Sequence, residues 1–402
     1  MGLIFRDDFH DDFGAWPIGY IPYGGADLGE VIAVGRAVGD GDDGAFYDAW
    51  VAAGDRFASQ AEEAQAAGRR ASARELFLRA SCFYCAAYHP IYGAPVDPRL
   101  VAAFRKQIVA FDSGLALNDP PVEPLRIPFA GGSLPGYLIP AVGAGDTARP
   151  LLICTNGYDA TVTDMYFASA VAASRRGYHC LIFDGPGQGE NLIEHGLHLR
   201  PDWETVVAAV VDFALTLPHV DANRMALSGW SLGGHLAPRA ASGEHRLAAL
   251  IADPGLWSIT GAFRAFAMKC GATEEAAASL GTLGQEVIDR MWQAVTNDRK
   301  LRWTVVQRGF WVHGVDNLRD YLRSVEEFTL DGRVEDIRCP TLLTAGENDP
   351  LATTAQALFE ALRCQKTLIR FTAAQGAGDH CEMKNRSLFN RHALDWLDEV
   401  LG

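Results

Sequence analysis

From residue 121 onward the chain alternates short apolar runs with stretches of helical periodicity, and this alternation narrows its fold more than any other feature. The runs are PLLICTNG, YHCLIFD, RMALSGW, LAALIAD, PTLLTAG and KTLIRFT, and helical stretches at 164–176, 202–216 and 353–363 separate most of them. Continuous apolar runs of this length belong to strands buried on both faces. Strands that alternate with helices build a mostly parallel sheet covered on both sides. LRIPFAGGSLPGYLIPA, ahead of the first run, reads as a hairpin, which brings the sheet to about eight strands. Between LAALIAD and PTLLTAG lies a helical, aromatic-rich insertion over about 255–338, placed where insertions commonly cover an active site.

Residues 1–120 have a different texture. In AFYDAWVAAGDRFASQAEEAQAAG, Phe46, Trp50, Phe57, Ala61 and Ala64 fall on one helical face. Ser72 with Glu75 has the spacing of a capping box for a second helix that ends before Pro90. The preceding arm carries Phe5, Phe9, Phe13, Trp16, Tyr20 and Tyr23, too many aromatics for a disordered tail, so it packs on something. The expected organisation is therefore an arm and a mainly helical region at 1–120 and an α/β domain at 121–402.

The 402-residue chain has a net charge of −15, and its first 55 residues carry eleven acidic groups against Arg6 and Arg36. Such a surface disfavours nucleic acid and anionic lipid. No apolar run reaches the roughly 18 residues of a membrane span. The start, MGLIFRDDFHDDFG, lacks the pattern of a signal peptide, so a cytoplasmic location is expected. Eight scattered cysteines read as free thiols; Cys82 and Cys85 form one C-x-x-C inside an apolar helical pattern and read as core residues, not as a zinc site.

The candidate chemistry centres on SGWSLGGHLA at 228–237. Gly229-Trp-Ser231-Leu-Gly233 follows the run RMAL and opens into a helical stretch, the context a G-x-S-x-G nucleophile elbow requires. The glycines permit a tight strand-to-helix turn that lifts the Ser231 hydroxyl out of the sheet. Pro238 removes a backbone donor early in the following helix, where a kink is expected. A serine hydroxyl needs a base, and the base an orienting acid. Asp349 in ENDP follows PTLLTAG, and His380 in AAQGAGDHCE follows KTLIRFT, so the order Ser, Asp, His is that of α/β-hydrolases. His235, His179 and His313 compete with His380 for the base; Asp379 and Asp184 compete with Asp349. Oxyanion donors are expected from the backbone N–H groups of Leu232 and Tyr158, with Gly157 allowing close approach. FDGPGQGEN has the spacing G-x-G-x-G and reads as a structural turn, not a dinucleotide site. Neither a cofactor nor a metal is expected.

Together FDGPGQGE, TNGYDATVTDMY, GWSLGG, CPTLLTAGENDP and GAGDHCE resemble the α/β-hydrolases related to 2,6-dihydroxypseudooxynicotine hydrolase. That group also takes in fungal yellowish-green pigment hydrolases that shorten polyketides, and FrsA-like proteins. The resemblance extends into GRRASARELFLRASCFYCAAYH and RGFWVHGVDNLRDYLRSVEEFTL, and so over most of the chain beyond about residue 40. It implies a triad of Ser231, Asp349 and His380, a lid formed by the N-terminal helices, and a homodimer. Some relatives cleave a carbon–carbon bond beside a ketone with an extra acid, for which Asp253 is the candidate here. Trp257, Phe263, Phe266, Trp303, Phe310 and Trp311 suggest a pocket for an aromatic or polyketide-like carbonyl substrate, although each singly reads as helix packing. The expected function is a serine hydrolase acting on an ester, a thioester or a C–C bond next to a ketone. An acyltransferase or cyclase with the same triad, or a non-catalytic FrsA-like binding protein, are the alternatives; a peptidase would need a gating repeat region that the chain lacks.

Overall fold

The computed structural model describes residues 2–145 and 147–402. Eight strands form one sheet: β1 (Leu125–Phe129), β2 (Gly132–Ile139), β3 (Arg149–Thr155), β4 (His179–Phe183), β5 (Val220–Trp230), β6 (Ala249–Asp253), β7 (Thr341–Gly346) and β8 (Lys366–Phe371). Their order is β1-β2-β4-β3-β5-β6-β7-β8. The β1–β2 hairpin pairs antiparallel with itself and with β4, and every later pairing is parallel. Each apolar run is a strand for the physical reason its composition suggests: β4, β6 and β7 are buried at every position. Among the described residues no helix is long and apolar enough to cross a membrane.

Before the sheet come α1 (Asp8–Gly14), α2 (Leu28–Val38), α3 (Asp43–Ala66), α4 (Arg70–Ala87) and α5 (Pro98–Ala116). The arm is packed. Phe5, Phe9, Phe13 and Tyr20 are buried in the same apolar cluster as the sheet residues. Phe5 and Phe46 flank Trp50, which meets Phe83 of α4 edge-on. Cys82 and Cys85 are buried and unpaired, and the Cys85 thiol donates to Asp164.

The capping box expected at Ser72 and Glu75 does not form. Gly68, at φ +71°, turns the chain at once after α3, and the Arg69 N–H closes that turn on the Ala64 carbonyl. The next helix therefore begins at Arg70 with no side-chain cap, and Ser72 lies inside its first turn.

After the hairpin the main flanking helices are α6 (Trp203–Ala214) and α7 (Gly233–Ala241), the latter leaving β5 directly. Pro238 sits inside α7, which continues across it. The carbonyl of Gly234, four residues back, accepts the Leu256 N–H at 3.4 Å in place of the helical donor proline lacks. The insertion between β6 and β7 contributes α8 (Thr260–Lys269), α9 (Gln285–Asn297), a π-helical stretch at Trp303–Phe310 and α10 (Leu318–Glu326). It is clasped to the N-terminal helices. Arg299 bonds Asp7 at 2.8 Å and also Asp43, Lys300 bonds Asp12, and the Trp303 ring, packed on Phe9 and Phe13, donates to the His89 carbonyl at 2.8 Å. Helix α11 (Ala355–Ala361) and the C-terminal helix α12 (Arg386–Leu401) complete the layers.

Candidate active site

Ser231 follows the last residue of β5 and precedes α7, and its backbone sits at φ +62°, a left-handed conformation that non-glycine residues rarely adopt. The neighbouring glycines make room for it. A Cβ on Gly229 would lie 1.9 Å from the Gly233 carbonyl oxygen, and one on Gly234 would lie 2.1 Å from that of Pro254. The Ser231 N–H is anchored on the Asp253 carbonyl at 2.7 Å.

Two later loops bring a histidine and an acid to this serine. Asp349 follows β7, its Oδ1 accepting the Leu351 N–H at 2.9 Å. His380 follows β8, and the two loops are locked by the Asn348 N–H to the Gly378 carbonyl at 2.7 Å. His380 Nδ1 lies 2.9 Å from Asp349 Oδ2, and Nε2 lies 2.9 Å from Ser231 Oγ. Since the carboxylate can only accept, Nδ1 carries the proton, which leaves Nε2 free to accept the Ser231 hydroxyl. Burial pushes the imidazole toward lower pKa, but the hydrogen bond and charge of Asp349, aided by Asp253 and Asp159, outweigh it and raise the value above the ordinary 6.5. Cys381 and Glu382, immediately after His380, both hold positive φ at +52° and +51°, so backbone strain accumulates beside the ring.

The loop after β3 packs against the serine from the other side. A Cβ on Gly157 would lie 2.8 Å from Ser231 Cβ and 3.0 Å from the Leu232 nitrogen, so glycine is required for this approach. The backbone N–H groups of Tyr158 and Leu232 have no acceptor among the described residues. FDGPGQGEN turns out to hold this loop. Gln188 donates to the carbonyls of Asn156 and Gly157 at 2.8 and 3.0 Å, and Asn156 donates to Asp184 at 2.8 Å. The insertion holds it from above. Tyr158 and His313 share a 2.7 Å hydrogen bond, and Arg308 pairs with Asp159 at 2.9 Å while its guanidinium lies over the Tyr158 ring. These supports come from distant segments, and sequence reading missed their roles.

The competing residues are committed elsewhere. His235 bonds the Trp257 carbonyl, and burial pushes its pKa down to about 4. Burial, with Arg308 and His198 adding positive charge, lowers His313 to about 3. His179 opens β4, and burial pushes the Asp184 carboxyl well up. Asp253 is not offered to a substrate: Thr344 donates to its Oδ1 at 2.8 Å and Arg386 to its Oδ2 at 2.6 Å, in a fully buried pair. Trp257 is likewise drawn away, its ring N–H donating to Asp331 at 2.7 Å. The insertion's aromatics pack mainly on one another, Phe310 on Trp292 and Tyr321, and Phe263 on Tyr321, whereas Trp311 meets Tyr92. Asp349, His380 and Cys381 are the one set of donor groups close enough to hold a metal ion among the described residues. The first two are bonded to each other, and burial pushes the Cys381 thiol well up, away from the thiolate a metal needs.

A sequence profile of the Alpha/beta hydrolase family matches residues 151–389. The chain belongs to that family. It is 32% identical to "Hydrolase LUC6" of Fusarium sp over 420 aligned positions, covering 100% of this chain and 99% of the relative. It is also 32% identical to the 20-hydroxy-prefusarin hydrolase FUS2 of Gibberella moniliformis, with the same coverage. Its fold matches the crystal structure of 2,6-dihydroxy-pseudo-oxynicotine hydrolase with a TM-score of 0.74 at 22% identity, over 95% of each chain.

His380 is expected to titrate above 6.5, followed by the ring-proton NMR signals. In Asp349→Asn the group that raises the value is gone while burial remains, so the midpoint should move to lower pH.

Proposed function

We propose that the chain is a serine hydrolase that works through an acyl-enzyme on Ser231. The observation that carries this reading is the pair of 2.9 Å contacts linking Ser231, His380 and Asp349. Ser231 Oγ attacks the substrate carbonyl while His380 Nε2 takes its proton. Asp349 keeps Nδ1–H in place and stabilises the imidazolium that forms. The tetrahedral oxyanion is received by the N–H groups of Leu232 and Tyr158, aligned by the close packing of Gly157. His380 then protonates the leaving group, and water, activated by the same ring, attacks the ester on Ser231 and regenerates the hydroxyl.

The substrate class is an apolar, aromatic or polyketide-like carbonyl compound, cleaved at an ester, a thioester or the acyl C–C bond of a β-diketone. The likeness over the whole chain to a 20-hydroxy-prefusarin hydrolase supports this class. In the C–C case the leaving group is an enolate. Asp253 is withdrawn from the role of extra acid because Arg386 and Thr344 engage both its oxygens.

Turnover of an ester, thioester and β-diketone panel by wild type, and a loss of about 10⁶-fold in kcat for Ser231→Ala, is the expected result. Undiminished turnover in Ser231→Ala would overturn the reading. With an added alcohol, hydrolysed product alone is expected; an acyl transfer product that grows with alcohol concentration would make the enzyme a transferase. Gly157→Ala should fold yet lose about 10²–10³ in kcat, the loss typical of one oxyanion donor, measured alongside its circular dichroism.

A further inference from the structure

Trp230 immediately precedes Ser231, and Gly157 packs against it. A closed circuit of side chains runs from one to the other. The Trp16 ring lies 6.0 Å from that of Trp230, Phe13 lies 5.8 Å from Trp16, and Trp303 lies 4.8 Å from Phe13, centroid to centroid. The Arg308 guanidinium carbon then sits 4.8 Å from the Trp303 ring and 4.7 Å from that of Tyr158, the residue after Gly157. The arm supplies Phe13 and Trp16, the insertion Trp303 and Arg308, and the sheet ends Tyr158 and Trp230.

This circuit borders open space beside the nucleophile. Phe13, Trp303 and Trp230 are buried, but Trp16, Tyr158 and Ser231 each keep part of their surface accessible. The His380 side chain is 36% exposed and that of Arg308 is 19% exposed.

Arg308 is the one charged member of the six. It is held between two aromatic rings, which fixes a guanidinium without consuming its N–H groups. Nη1 donates to Asp159 at 2.9 Å, and Nε has no hydrogen-bond partner. The charge of Asp159 also acts on His380, so the ion pair stands within electrostatic reach of the catalytic ring. A guanidinium withdrawn from water with donors unpaired is costly unless another acceptor meets it. Because Asp159 already balances its charge, the acceptor that fits is neutral, a carbonyl or enol oxygen.

We propose that Arg308 is a specificity-determining residue: it donates to a second carbonyl or enol oxygen of the substrate, a few bonds from the carbonyl that Ser231 attacks. The conjugated body of the substrate lies against Trp16 and Tyr158. The inference rests on the acyl-enzyme reading and narrows its substrate class to β-dicarbonyl and related poly-oxo compounds. A site that hydrogen-bonds a substrate oxygen rejects the analogue lacking it, because its own donors are then left unpaired.

The test is calorimetric titration of benzoylacetone, and of butyrophenone, which lacks the second oxygen, into the full chain carrying Ser231→Ala, where turnover does not compete. The diketone is expected to bind about tenfold or more tighter than the ketone. Adding Arg308→Gln should bring the two affinities within about twofold. Arg308→Lys, which keeps a charged donor, should retain part of the preference. A purely structural loosening of the loop would weaken both ligands alike and leave their ratio unchanged. Equal affinities with Arg308 present, no saturable binding of the diketone, or an unchanged ratio in Arg308→Gln would overturn the proposal. Failure of the acyl-enzyme reading is seen separately, as turnover that persists in Ser231→Ala.

Discussion

The left-handed backbone at Ser231 is the constraint around which the carboxyl edge of the sheet is arranged. Such a conformation costs on the order of 1–3 kcal/mol and persists only where the surroundings over-determine it. Here the Ser231 N–H is fixed to the Asp253 carbonyl, and the Asp253 side chain is in turn fixed by Arg386 and Thr344. The chain therefore spends a buried ion pair from its last helix on the strand end that carries the serine. Glycines at 229, 233 and 234 supply the clearance, because a side chain at any of them would meet backbone at 2.6 Å or less. Buried and hydrogen-bonded on both sides, the Asp253–Arg386 pair is of the kind whose disruption leaves an uncompensated charge.

A second rigid element faces the first. The loop carrying Gly157 and Tyr158 is pinned below by Gln188 and by the Asn156–Asp184 bond, and above by His313, Arg308 and the Tyr92 hydroxyl. The upper contacts belong to the insertion and to the N-terminal helices, which are themselves clasped through Arg299, Lys300 and Trp303. The insertion and the N-terminal helices thus together fix the loop that packs against Ser231. Neutral His313 suits this role: lowered to about 3 by burial, its ring can hold Tyr158 without adding a charge next to the serine.

Most of the sheet was legible because its strands are buried on both faces and so read as unbroken apolar runs. Ser231, Asp349 and His380 were legible because each follows such a run, on loops where strand ends converge. What escaped depends on partners remote in sequence. Asp253 reads as a strand-end acid until Arg386, 133 residues later, is seen to take its carboxylate. Ser72 and Glu75 have capping-box spacing, but the turn at Gly68 starts the helix before they can act. Gln188 lies within the turn FDGPGQGEN, and only the packed structure shows its amide reaching two carbonyls of the facing loop.

The central claim is that this arrangement makes Ser231 a nucleophile. The most direct measurement is the intact mass of the protein after exposure to a fluorophosphonate probe, for wild type and for Ser231→Ala. One adduct on wild type, mapped to the peptide containing Ser231, and none on the variant is the predicted result. Wild-type protein that stays unlabelled while folded, or an adduct that persists in Ser231→Ala, would contradict it.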